Sequence, residues 1–162
     1  MRFRFVFVLL LCLAGVVACR TEQSAGKSVR VSQKDVRRDL SIDENRGGHT
    51  LARHVGKTDE QLRARLRKEP NISAASTYVD RDTAEHVIGS TLSENSGKIE
   101  RWRARGSRRP NLVLDYTAGD DPIGRVMYRR AQGSVPCERA LVVLRAYGDD
   151  YFVLTSYPDC RP

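Results

Sequence analysis

The chain has 162 residues, with 28 Lys and Arg against 20 Asp and Glu and a formal net charge of +8. That length holds one folded domain and a tail rather than several domains. The charge points to an anionic partner, nucleic acid or an anionic membrane surface, and no internal repeat or low-complexity block breaks the chain.

The first stretch, Met1 to Cys19, joins Arg2 and Arg4 to an apolar run from Phe5 to Val17 and a small-residue exit at Ala18. It reads as a secretory signal peptide over residues 1–18 and is too short and too early for a membrane span. Val16-Val17-Ala18-Cys19 resembles a bacterial lipobox, which would make Cys19 the lipidated N-terminus. Ordinary cleavage after Ala18 fits the same residues. Residues 19–46 are polar and charged with scattered apolar positions, and they read as a tether with at most one weak helix around Gln33 to Leu40. Gly47-Gly48 then marks the start of a domain over residues 47–162.

That domain opens with His49 and His54 in a Gly-rich, turn-like lead-in. Thr58-Asp59-Glu60-Gln61 has the form of a capping box and predicts a helix starting near Thr58. Leu62 and Leu66 lie on its buried stripe, with Arg63, Arg65 and Arg67 on the flanks and Arg65 bordering the stripe. A histidine just before such a helix and an arginine two turns into it can converge on one pocket. The pair suits a phosphodiester: histidine titrates near neutral pH, and the guanidinium grips phosphate oxygens in a fork.

Glu69-Pro70 ends the helix, and Asn71 to Val79 is small and polar, a loop or a short extended segment. Asp80 or Asp82 can cap a second helix carrying Ala84, Val87, Ile88 and Leu92 at helical spacing, with His86 off that face. A third helix over Gly97 to Ala104 places Ile99 and Trp102 in the core. Arg101, Arg103, Arg105, Arg108 and Arg109 form a basic run that could follow a nucleic-acid backbone or simply be solvated.

From Asn111 the pattern turns strand-like, in the segments Leu112–Tyr116, Gly124–Tyr128, Arg139–Arg145 and Tyr151–Tyr157. Helices first and strands afterwards give an α+β domain with an antiparallel sheet. If Gly148-Asp149 is a two-residue type II′ turn, Tyr147 faces Asp150, and the same register carried to the strand ends sets Cys137 opposite Cys160. Cys12 leaves with the signal and Cys19 would carry lipid, so these two cysteines make an even pair in an oxidising compartment. A disulfide there would contribute about 3 kcal/mol by chain entropy. No cysteine or histidine spacing fits a zinc site. Strict alternation along the last strand puts Tyr151, Val153, Thr155 and Tyr157 on one face. Thr155 and Tyr157 then emerge together, one hydroxyl able to bond a base or phosphate and one phenol able to donate to developing charge.

Taken in order, GGHTLARHVG, the LRARL helix, ISAASTYVDRDTAE and the terminal VLTSYP resemble the bacterial RNase A-like toxin domain found at the C-termini of CdiA-type contact-dependent growth-inhibition proteins and other polymorphic toxins. The resemblance covers about Gly47 to Pro158. It implies a kidney-shaped α+β fold like that of pancreatic-type ribonucleases. It also implies an active site of His54, Arg65, Thr155 and Tyr157, with His49 as a possible accessory acid. The implied reaction is cofactor-free, metal-independent transphosphorylation of single-stranded RNA, with the basic run from Arg101 to Arg109 available for RNA contact. The family typically lacks disulfides, so Cys137 and Cys160 depart from its pattern. A cognate immunity protein is implied as partner, and the leader implies export, as a periplasmic or outer-membrane lipoprotein or a secreted protein. The competing reading is a non-catalytic basic envelope lipoprotein that binds an anionic polymer or a partner protein.

Overall fold

The computed structural model describes residues 36–161. The signal segment, Cys19 and most of the expected tether lie outside the described residues. In chain order the fold has α1 (Leu40–Asn45), α2 (Thr50–His54), α3 (Asp59–Lys68), β1 (Ala74–Tyr78), α4 (Arg81–Glu94), α5 (Ser96–Arg103), then β2 (Leu112–Thr117), β3 (Gly124–Tyr128), β4 (Val135–Cys137), β5 (Arg139–Tyr147) and β6 (Asp150–Pro158). The strands form two antiparallel three-stranded sheets, ordered β1-β3-β4 and β2-β5-β6. The fold is therefore α+β, with two sheets where the sequence suggested one. Among the described residues no helix is long and apolar enough to cross a membrane.

The local signals for α3 and α4 are realised. Thr58 caps α3 with the reciprocal Gln61 bond of a capping box, and Leu62 and Leu66 are buried. The α4 cap is Asp80, whose carboxylate accepts from the Thr83 amide. Ala84, Val87 and Ile88 pack with Ile99 and Trp102 of α5 and with Leu114, Val142, Leu144 and Val153 in the larger core. A smaller core joins Leu62 and Leu66 to Ala75 and Met127.

The tether is shorter than expected, because the fold begins before Gly47. Leu40 is fully buried in the larger core, and the Asp43 carboxylate takes two bonds from Arg38, at 2.9 and 2.7 Å, and a third from the Val153 amide at 2.9 Å. Contacts distant in sequence, Val153 and the larger core, add to the local Asp39 cap and Arg38 bonds in ordering this polar stretch, and its composition does not show them. The two histidines likewise belong to a short helix, α2, with His49 at its N-cap and His54 at its end. A Cβ on Gly48 would lie 2.6 Å from the Val153 carbonyl oxygen, so the second glycine of the pair is what lets α1 and α2 close against β6.

The β5–β6 hairpin follows the expected register only near its turn. Gly148 has φ +57°, and the pairs run from Tyr147–Asp150 to Leu144–Val153. The next pair is Val143–Thr155, so Leu154 is an extra residue, a bulge. It overturns the strict alternation. Val153 and Ser156 face β5 partners, Leu144 and Val142, that are both fully buried, so Tyr151 and Val153 share the core side with Ser156. Thr155 and Tyr157 turn to the opposite side. The outer edge of β6 is covered by α1 and α2: the Asp43 carboxylate, the His49 amide and the Thr50 hydroxyl bond Val153 N, Leu154 O and Ser156 N in succession.

Cys137 pairs with Gly124 in β4, and its disulfide to Cys160 spans a Cα–Cα distance of 5.6 Å. The bridge links the end of one sheet to the residues that follow β6 of the other. The three-residue β4, which contains Pro136, was not legible as a strand.

Candidate active site

Two stretches far apart in sequence meet at one cleft of about 380 Å³, one supplying His49, His54, Arg65, Asn71 and Ser73 and the other Thr155, Tyr157 and Arg161. The bulge at Leu154 is what sends Thr155 and Tyr157 to this side of the sheet.

His54 is held against β1. Its Nδ1 lies 3.2 Å from the Ser76 carbonyl oxygen, which can only accept, so Nδ1 carries the hydrogen and Nε2 presents a lone pair. The segment after it is strapped to the same strand: the Gly56 amide donates to Tyr78 O, and the Lys57 amide donates to the Thr77 hydroxyl. Gly56, with φ +62°, makes the turn between α2 and α3. Arg65 then reaches back from α3, its Nη1 3.5 Å from His54 Nε2 and its Nε 3.3 Å from the Glu69 carboxylate. The Tyr157 ring packs on the imidazole at 5.2 Å between centroids.

Electrostatics follow from this packing. Burial first, and the Arg65 charge second, push the His54 pKa down to about 3, so the imidazole is neutral at ordinary pH. Burial also raises the Tyr157 phenol and keeps it protonated. His49 is lowered by burial and then by Arg53, against the requirement of an acid charged before reaction. The Thr155 hydroxyl is buried without a hydrogen-bond partner. A buried orphan hydroxyl costs roughly 1–3 kcal/mol, and here it lines the cleft, where an incoming acceptor or donor would satisfy it.

The basic run is a different matter. Arg109 is buried, stacks over Trp102 at 4.3 Å and donates to the carbonyls of Gly106, Gly148 and Asp150. Arg103 bonds Glu100 and the Asp149 carbonyl. None of Arg101, Arg103, Arg105, Arg108 and Arg109 lines the cleft. Arg109 is therefore withdrawn from the expected RNA-contact set, since it is buried and both Nη atoms are committed to the fold. Arg161, missed in the sequence, does line the cleft, where it pairs with Asp159 at 2.6 Å. Two residues from Asp159 it reads as an ordinary terminal ion pair, so no sequence signal marked it.

A family model described as "Bacterial CdiA-CT RNAse A domain" matches residues 48–158. The chain belongs to the bacterial CdiA-CT RNase A family. A solved structure, the CdiA-CT/CdiI complex from Y. kristensenii 33638, is similar at 31% identity and a TM-score of 0.61, covering 70% of this chain and 100% of that one. No curated protein matches. The family match takes in His49, His54, Arg65, Thr155 and Tyr157 but stops short of Cys160 and Arg161, so the CdiA-CT RNase A domain carries the central cleft residues and the disulfide closes outside the matched segment.

Proposed function

We propose that this chain is a metal-independent endoribonuclease of the toxin class that cleaves single-stranded RNA by transphosphorylation. The observation that carries the reading is a tautomer-fixed His54 whose Nε2 lone pair lies 3.5 Å from Arg65 Nη1, both side chains lining one cleft. A neutral, oriented imidazole is what removal of the ribose 2′-hydroxyl proton requires. That oxygen attacks the adjacent phosphorus, the P–O5′ bond breaks as O5′ takes up a proton from water, and the products are a 2′,3′-cyclic phosphate and a 5′-hydroxyl, with His54 returning its proton to solvent. Arg65 offsets the charge gathering on the phosphorane, and that charge in turn favours the imidazolium as it forms. The Tyr157 phenol donates a hydrogen bond to the leaving oxygen or the phosphorane, and Thr155 positions base or phosphate with its unpaired hydroxyl. DNA lacks the nucleophile.

The solved relative was crystallised with CdiI. By likeness, a dedicated protein partner that blocks the cleft is part of the proposal, as are export through the Met1 to Cys19 leader and lipidation at Cys19.

The test is cleavage of a single-stranded RNA and of a DNA of matching sequence by the oxidised chain in EDTA, beside His54→Ala. RNA-only cleavage leaving 2′,3′-cyclic ends, reduced about 10²- to 10⁴-fold in the variant, is expected. A folded protein with no turnover anywhere between about pH 5 and 8 overturns the reading and favours a non-catalytic basic protein.

A further inference from the structure

The cleft is flanked by two recesses of different electrostatic character. One, reached past Asp159 and Arg161, is lined by Asp115 and Arg139 as well and is of mixed charge. The other begins at Asn71–Ser73, which also line the cleft, and continues past Tyr128 to Arg129 and Arg130. Those last three residues in turn line a third recess with Arg63 and Arg67. The second and third recesses therefore run on from the cleft as one groove with four arginines along it, and no acidic side chain lines either of them.

Two of the four arginines serve the fold. Arg129 donates to the carbonyls of Ile72 and Glu69, and Arg63 donates to that of Gln132. Arg67 and Arg130 are exposed, and among the described residues neither is ion-paired with a carboxylate. Arg130 is held at φ +74° in the tight turn closed by the bond from the Ala131 amide to Tyr128 O, the single non-glycine residue with positive φ among those described. Glycine or asparagine suits that turn position better, so a long cationic side chain is kept there against backbone preference.

We infer that this groove is an extended subsite for single-stranded RNA: the strand leaves the scissile phosphate at His54 and Arg65, crosses Asn71–Ser73, and its following phosphates are gripped by Arg130 and Arg67. The inference rests on the ribonuclease reading for the identity of the polymer and places its electrostatic track on the β3–β4 turn and α3, away from Arg101–Arg109. A substrate of several nucleotides gains from it, and a dinucleotide, which ends within the cleft, does not.

The experiment compares the oxidised full chain with Arg67→Ala/Arg130→Gly, a pair that relaxes the turn rather than straining it. Arg81→Ala/Lys98→Ala removes the same charge elsewhere on the surface and is the control. Turnover is read on a dinucleotide and on a longer RNA, and binding on a single-stranded DNA of the longer length, which presents the phosphates without being cleaved. With the groove variant, kcat/KM on the longer RNA falls about tenfold while the dinucleotide is untouched. The salt slope of log affinity for the DNA drops by about 1.4, two phosphates at about 0.7 each for a single strand. The control changes neither. Equal loss on both substrates, or equal loss in the control, overturns the groove. If nothing is cleaved at all, the ribonuclease reading fails separately, and the DNA arm still decides whether these arginines hold a strand.

Discussion

Two arginines from opposite ends of the molecule, Arg65 in the cleft and Arg109 behind the β5–β6 turn, show how one side chain is put to two uses. Arg109 lies flat on Trp102 with its Nη atoms spent on three carbonyls. Arg65 touches a single carboxylate oxygen and a histidine nitrogen, leaving donors directed at open cleft. The difference is one of placement: Arg109 is buried behind a turn, its Nη atoms engaged and its Nε without a partner, whereas Arg65 is only half-buried and lines the cleft. A guanidinium walled in by loops holds them together, and one that opens onto a cleft can meet a phosphate.

The largest expected effect on that contrast comes from Arg65→Gln, which lowers kcat on RNA by about 10²- to 10³-fold while leaving the melting temperature near wild type. Equal losses of activity and stability would erase the distinction. Arg109→Ala does the converse: it strands three carbonyls and uncovers Trp102, costing about 3 kcal/mol in a denaturant titration, with activity per folded molecule unchanged. The disulfide stands between the two cases, because Cys160 is flanked by Asp159 and Arg161 of the cleft wall. Cys137→Ser/Cys160→Ser is expected to lose about 3 kcal/mol of stability and also to raise KM, a combination neither arginine variant shows.

Smallest per step, though not in sum, is a pH slope. His54 has a folded pKa of about 3, depressed below its ordinary value of 6.5, so between those values the unfolded chain binds more protons than the folded one. Stability is complete above about pH 6.5 and declines as pH falls toward 3, by up to about 1.4 kcal/mol per unit. His54→Ala flattens that limb, whereas Arg109→Ala leaves it in place. The same depression predicts a kcat/KM profile without an acid limb from His54 down to about pH 5.

Where a feature depends on near neighbours, the sequence was readable. The Thr58–Gln61 capping box, the Asp80 cap, the Ala84-Val87-Ile88 face and the Gly148-Asp149 turn are short-range patterns, and each forms. Leu40 and Asp43 were read as tether because their reasons for order are Val153 and the larger core, far along the chain. The bulge at Leu154 was invisible for a related reason. It is set by the edge contacts from Asp43, His49 and Thr50, and nothing in VLTSYP itself calls for an extra residue. Thr155 and Tyr157 could still be paired, since two residues apart beyond a bulge is still two residues apart. Side-chain type alone did not separate Arg109 from its neighbours Arg105 and Arg108, because two of the three carbonyls that claim it, those of Gly148 and Asp150, come from a hairpin turn some distance on.

The cleft draws His54 and Arg65 from before the β2–β3 loop and Thr155 and Tyr157 from the last strand, so neither part of the chain holds a reactive constellation by itself. Catalytic competence is thereby tied to the slowest kind of contact to form, long-range closure of strand edges. A chain caught partway through folding is chemically silent. Division at the exposed Gly119–Asp121 stretch would yield two fragments, neither holding the cleft, whose reunion is the event that assembles it.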